Sequence, residues 1–276
     1  MSSAQDSLRL YWMTDIHLVD ELTARPEAPG AIWMERHYYA SLDKLRQAVD
    51  IANLEKPDCV ICTGDVIDRA QPLDSFMKEW RRIEPPKAFV IGNHDLDIGG
   101  EAFEEQFGIS NEPLTAGSRF NRSIAMRNGE AAARVLLLDT YIGENGKRLY
   151  DTCEGTIAGE AFEWLEKEIL ACEEKLILLF SHNGLGGPEE YFDRKAVVRF
   201  MELASRATAR GKKLINLAGH HHVYPAAVVK EMQPGFTFIN GVAMICDSSS
   251  SVNVVEVFAD GSYRLDYRKV GLIKAH

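Results

Sequence analysis

Apolar residues recur at Tyr38, Leu42, Leu45, Val49 and Ala52, and the stripe is followed by Lys56-Pro57-Asp58 and an apolar run over 59–63. A repeat near 3.6 residues predicts a helix, the proline segment a break, and the continuous run a buried strand. The same alternation returns three times: helix near 75–82 before strand 87–91, helix 158–172 before 176–181, and helix 194–209 before 214–218. Strands alternating with helices predict an α/β fold. Asn128-Gly129 separates the runs 123–127 and 134–139, and Asp260-Gly261 separates 252–258 from 263–267. Both are hairpin signals, so antiparallel strands join the parallel ones and helices flank more than one sheet. The segment 18–34 has no clear period and carries two prolines and a glycine. It reads as a surface loop and, lying just after Asp15-Ile16-His17, is placed to line a substrate site.

The chain has 276 residues, 46% apolar and 26% charged, which fits one soluble globular domain spanning 1–276. With 31 Lys plus Arg against 41 Asp plus Glu, the net charge of −10 disfavours wrapping a nucleic-acid polymer or an anionic membrane. The pairs Arg81-Arg82 and Lys212-Lys213 read as solvated faces, not as a basic track. No signal peptide is legible, and the apolar runs fall far short of the ~20 residues a membrane helix needs. Five cysteines, an odd and sparse set, argue against a disulfide framework, so the cytoplasm is the expected compartment. Cys59 and Cys62 form a CxxC inside a strand-like run and read as buried strand thiols.

Each predicted strand end carries a polar cluster: Asp15 and His17, Gly64-Asp65, Gly92-Asn93-His94-Asp95, Ser181-His182, and Gly219-His220-His221-His222. In open α/β sheets ligands bind beyond the carboxyl ends of the strands, so the five clusters are expected to converge. Residues two apart in extended chain point the same way. Asp15 and His17 should therefore reach one ion together, as should His220 and His222, with His221 facing elsewhere. Carboxylates, imidazoles and an amide oxygen suit manganese, iron or zinc. Seven candidate ligands exceed what one ion of about four to six coordination takes, which points to two metals sharing a carboxylate. Gly64, Gly92 and Gly219 read as tight turns that bring backbone near the ions, and Asp95 as a support for the ligands.

Asp15-x-His17, Gly64-Asp65-x-x-Asp68, Gly92-Asn93-His94-Asp95, His182 and Gly219-His220-x-His222 together resemble, in the same order, the motif set of the calcineurin-like metallophosphoesterases. The resemblance implies a four-layer α/β/β/α sandwich with two mixed β-sheets flanked by helices. It implies one metal on Asp15, His17, Asp65 and His222, and a second on Asp65, Asn93, His182 and His220, with a bridging hydroxide attacking phosphorus in line. His94 would stand beside the leaving oxygen as the acid, and Asp68 would orient it. Arg69, with Asn93 and His94, would contact the phosphate, and a homodimer is in keeping with relatives of this kind.

Departures narrow the substrate. The serine/threonine phosphatase branch has GNHE after Leu-Arg and a glycine after its Asp-Arg pair, whereas Val90-Ile91 precede GNHD here and Ala70 follows Arg69. The chain looks more like the branch of cyclic-nucleotide and glycerophosphodiester phosphodiesterases, so a small phosphodiester is the expected substrate. A phosphomonoester or a nucleotide pyrophosphate on the same site is the runner-up, and a non-catalytic scaffold of this fold is disfavoured because His94 is present. Asn183-Gly184 departs from the family's usual fourth motif and bears on pocket shape. His37 and His276 lie outside every motif.

Overall fold

The computed structural model describes residues 6–19, 25, 32–33, 35–68, 73–187 and 191–271. Strand β1 (Ser7–Met13) lies at the centre of a five-stranded sheet, antiparallel to β12 (Ser249–Phe258) and parallel to β4 (Cys59–Cys62). β5 (Lys87–Phe89) extends the parallel side, and β13 (Tyr263–Gly271) pairs antiparallel with β12. The second sheet has six strands. Its parallel core is β7 (Ala131–Leu138), β8 (Leu176–Ser181), β9 (Lys213–Val223) and β11 (Phe236–Val242), edged by antiparallel β6 (Arg122–Asn128) and β10 (Val228–Gln233). A short hairpin joins β2 (Ile32–Trp33) to β3 (Arg36–His37) inside and just after the stretch expected to be a loop.

The period-2 pattern of the strands sorts their side chains into layers. In β1, Leu8, Leu10 and Trp12 face the second sheet, while Tyr11 and Met13 face helices α1 (Tyr38–Glu55) and α2 (Leu73–Arg82). In β8, Leu178 and Phe180 meet them across the inter-sheet core, and Ile177 and Leu179 turn to α4 (Gly159–Ala171) and α5 (Arg194–Thr208). Central strands are therefore buried on both faces, which is why they read as unbroken apolar runs. The result is the expected α/β/β/α sandwich of two mixed sheets between helices. Helix α3 (Gly100–Gln106) follows a 3-10 turn over His94–Ile98 and adds Phe103 to the first core.

Cys59 and Cys62 are buried on opposite faces of β4, as expected of strand thiols. Lys212 departs from its expected solvated position. It is buried, and its Nζ donates to the carbonyls of Cys172 (2.6 Å) and Glu174 (3.2 Å), where the end of α4 leaves acceptors without partners. No helix among the described residues is long and apolar enough to cross a membrane.

The strand ends that carry the polar clusters are laced to each other. The amides of Ile16 and His17 both donate to the Asp65 carbonyl at 2.9 Å, Leu18 donates to Val66, and Gly219 donates to the His182 carbonyl at 3.0 Å. Gly64 has φ +89° and packs against Gly92, so a side chain there would be strained and would collide with the Gly92 backbone. That close approach brings the ends of β4 and β5 together.

Candidate metal centre

All five clusters converge on the C-terminal edge of the two sheets. Extended backbone alone does not bring them together. Asp15, His17, Asp65, His220 and His222 all have positive φ, between 47° and 72°, a region that non-glycine residues occupy only when the surroundings impose it. One imposing contact is visible at His220, whose amide donates to both oxygens of Asp15 at 3.1 Å. These kinks also correct the expected pairing of His220 with His222 on one ion. His222 falls into a group with Asp15, His17 and Asp65, and His220 into another with Asp65 and His182.

In the first group the Nε2 atoms of His17 and His222 face each other at 2.9 Å. Asp15 Oδ1 lies 3.4 Å from His222 Nε2, and Asp65 Oδ2 lies 3.6 Å from His17 Nε2. In the second, His182 Nε2 is 3.2 Å from His220 Nδ1, from Asn93 Oδ1 and from Asp65 Oδ2. Asp65 thus belongs to both groups. The other nitrogen of His182 is 2.7 Å from the Thr63 carbonyl, which can only accept, so Nδ1 carries hydrogen and Nε2 points into the cluster. The Tyr141 hydroxyl donates to Asn93 Oδ1 at 3.3 Å. Ring nitrogens facing each other and converging with buried carboxylates form an N/O donor set that fits divalent cations, and each group could hold one.

Asp95 does not point into either group. Its two oxygens accept the backbone N–H groups of Asp65, Val66 and Gly92 at 2.8–2.9 Å, fixing the turn that presents Asp65 and Asn93. Beside the cluster, His94 Nδ1 stands 3.1 Å from Asp68 Oδ1, and the His94 ring keeps 23% exposure, the open side of the site. Asp68 Oδ2 accepts from Arg36 at 3.0 Å and from the Tyr38 hydroxyl. His221 joins neither group; its ring packs on Tyr191 and under Gly187. Asn183 explains the unusual fourth motif. Buried beside His182, its amide donates to the Cys153 and Tyr191 carbonyls and ties two loops to the end of β8.

Arg69 lies outside the described residues, as does most of the expected substrate-lining loop. Sequence reasoning passed over Arg36, Tyr38, Thr63 and Tyr141. Arg36 adjoins the aperiodic segment, Tyr38 reads as the first apolar position of the helix stripe, and the others resemble ordinary strand-end residues.

Residues 8–224 match the family model described as calcineurin-like phosphoesterase. The chain belongs to that family. As a calcineurin-like phosphoesterase it is a metal-dependent phosphoester hydrolase. Its fold is similar to that of a dimetal phosphatase from Danio rerio, with TM-score 0.71 at 16% identity over 96% of each chain. A putative 5'-nucleotidase from Staphylococcus aureus aligns with TM-score 0.57 at 12% identity, over 98% of this chain and 55% of its own. Haemophilus influenzae NAD nucleotidase aligns with TM-score 0.53 at 14% identity, over 95% of this chain and 55% of its own. Identities this low speak to fold alone. No curated protein sequence matches the chain.

The electrostatics of this phosphoesterase site are set by burial and by carboxylates packed among imidazoles. Burial alone would raise Asp15 and Asp65, but the surrounding histidines hold both below the usual carboxylate range. Burial pulls His182 down and is outweighed by the Asp65 charge, which holds it up at about 9, whereas burial and His182 together push His220 down to about 3. A cation on His182 Nε2 must displace that proton. Loading the metal-free protein with manganese near pH 7 is therefore expected to release about one proton, and affinity to rise with pH. Titration in weakly buffered dye solution measures it; uptake with no proton release would contradict this distribution of charge.

Proposed function

We propose that the protein hydrolyses a small phosphodiester with two divalent cations, one on Asp15, His17, Asp65 and His222 and the other on Asp65, Asn93, His182 and His220. Two donor groups that share Asp65, with His94 on the open side of both, carry this reading. Manganese, iron and zinc all suit the donors. When bound, such cations lower the pKa of water and stabilise charge on the phosphoryl oxygens.

The chain's own residues do the rest. Asp65 holds the two positions together, and its Oδ1 accepts the His94 amide at 2.9 Å, which fixes that residue relative to the donors. His94 holds a proton for the leaving oxygen. Asp68 Oδ1 lies 3.1 Å from Nδ1 of the ring, a charge contact that leaves the opposite nitrogen for the leaving group. Arg69, Asn93 and His94 are the proposed phosphate contacts. Arg36 is engaged by Asp68, so the charge of the substrate rests on the cations, Arg69 and His94. The −10 net charge favours a small substrate over a polymer. All five cysteines are free thiols, which suits a reducing cytoplasm.

The same residues would serve a phosphomonoester or a nucleotide pyrophosphate, and a substrate panel separates the readings. Manganese-loaded protein is expected to cleave bis(p-nitrophenyl) phosphate with a kcat/KM at least about tenfold above that for p-nitrophenyl phosphate. A reversed preference would select the monoester reading. Hydrolysis of neither ester, nor of a dinucleotide pyrophosphate, by protein carrying two cations would refute the proposal.

A further inference from the structure

We propose that Arg36 and Tyr38 are positioning residues that clamp the Asp68 carboxylate in the orientation that fixes the His94 ring at the open side of the site. This rests on the function proposed above. Asp68 has two imidazoles within reach: His94 Nδ1 lies 3.1 Å from Oδ1, and His17 Nδ1 lies 3.8 Å from Oδ2. Both Nδ1 atoms are buried and neither makes an aligned hydrogen bond, so the two contacts differ in distance and the one to His94 is the nearer. A carboxylate free to rotate could turn toward either ring. Two donors on Oδ2 remove that freedom: Arg36 Nη1 at 3.0 Å and the Tyr38 hydroxyl, which Arg36 Nη1 also approaches at 3.5 Å. With Oδ2 held, Oδ1 is committed to His94.

The clamp is itself fixed to the cluster. Arg36 opens β3 and Tyr38 opens α1, and between them the His37 amide donates to the Ile245 carbonyl at 3.0 Å. Tyr38 packs with Ala243, Ile245 and Cys246. That loop in turn donates from Met244 and Ile245 to the carbonyls of Thr14 and Asp15. The position of Asp68 is thus referenced to the segment carrying Asp15 and His17, whereas His94 arrives from the end of β5. Arg36 and Tyr38 add a side-chain link between Asp68 and the Asp15–His17 segment to the backbone-amide links that already tie the ends of β4 and β5. Neither residue belongs to the motifs that carry the family resemblance.

Tyr38→Phe deletes one donor and keeps the ring's packing. In manganese-loaded protein it is expected to lower kcat about tenfold on a phosphodiester with an alkyl leaving group, with KM changed less than about twofold and metal content intact. The same substitution placed in a His94→Ala background is expected to cost nothing further, because its effect passes through His94. A second readout needs no turnover: in metal-free protein the His94 Nδ1 proton should give a slowly exchanging NMR signal that broadens in Tyr38→Phe. The clamp is refuted if Tyr38→Phe leaves kcat unchanged, costs as much in the His94→Ala background as in the wild type, or sheds metal. Should the wild type hydrolyse no phosphoester, the functional reading fails, and the NMR signal decides the clamp by itself.

Discussion

Replacing Asp65 with asparagine is expected to abolish stable binding of both cations at once and to lower kcat/KM by about 1,000-fold or more. Asp65 is the residue common to the two donor groups: its Oδ2 lies 3.6 Å from His17 Nε2 and 3.2 Å from His182 Nε2. Asparagine preserves the shape and can still accept the His94 amide, so the turn survives. What disappears is the negative charge between two imidazole pairs, and an amide nitrogen facing those rings would repel the cations it should share. Losing both cations removes water activation and charge stabilisation together, which is the reason for so large an effect. Metal analysis after dialysis, beside a thermal melt of metal-free protein, checks the prediction. Retention of two cations with more than a tenth of the activity would mean that the groups do not share Asp65.

His94→Ala has a different signature. Its ring stands beside both groups without belonging to the pair that shares Asp65, so metal content should be unchanged while kcat falls by about 100- to 1,000-fold, the range for loss of a general acid. Burial lowers the pKa of His94, but Asp65 and Asp68 outweigh burial and hold it up at about 8. The proton is present below that value and lost as pH rises through it, so the wild type should show an activity that declines on the alkaline side. Cations nearby pull the value downward, making about 8 the upper bound of that limb. The limb should vanish in His94→Ala. An alanine variant that loses metal, or that keeps the alkaline decline, would assign the proton to another group.

These two effects separate what was legible in the sequence from what was not. Asp15, Asp65, Asn93, His182 and the His220–His222 run stood out because each follows an apolar run, and the α/β rule gathers strand ends in space. The division of His220 and His222 between two groups followed from the family resemblance but was not legible in the local strand pattern. A local pattern reports strand period, whereas the positive φ at both residues is imposed by contacts from distant chain, such as Asp15 on the His220 amide. Arg36 and Tyr38 escaped for a similar reason. Arg36 adjoins a segment without periodicity and Tyr38 counts as the first apolar position of the α1 stripe, so only the fold shows that both return to Asp68. The sheet order was also beyond reach, since strand propensity does not say that the first strand pairs with one near the end of the chain.

That pairing has a consequence for how the protein comes into being. β1 sits between β4 and β12, with Ser7 opposite Phe258, and the loop after β11 closes over Asp15. During synthesis on the ribosome, Asp15 and His17 are made long before β12, and the strand that precedes them has only one neighbour until β12 has emerged. Contacts so distant in sequence make folding slow and leave an apolar strand edge uncovered meanwhile. The Asp15 end of the proposed site is thus enclosed only after the loop following β11 has folded back over it.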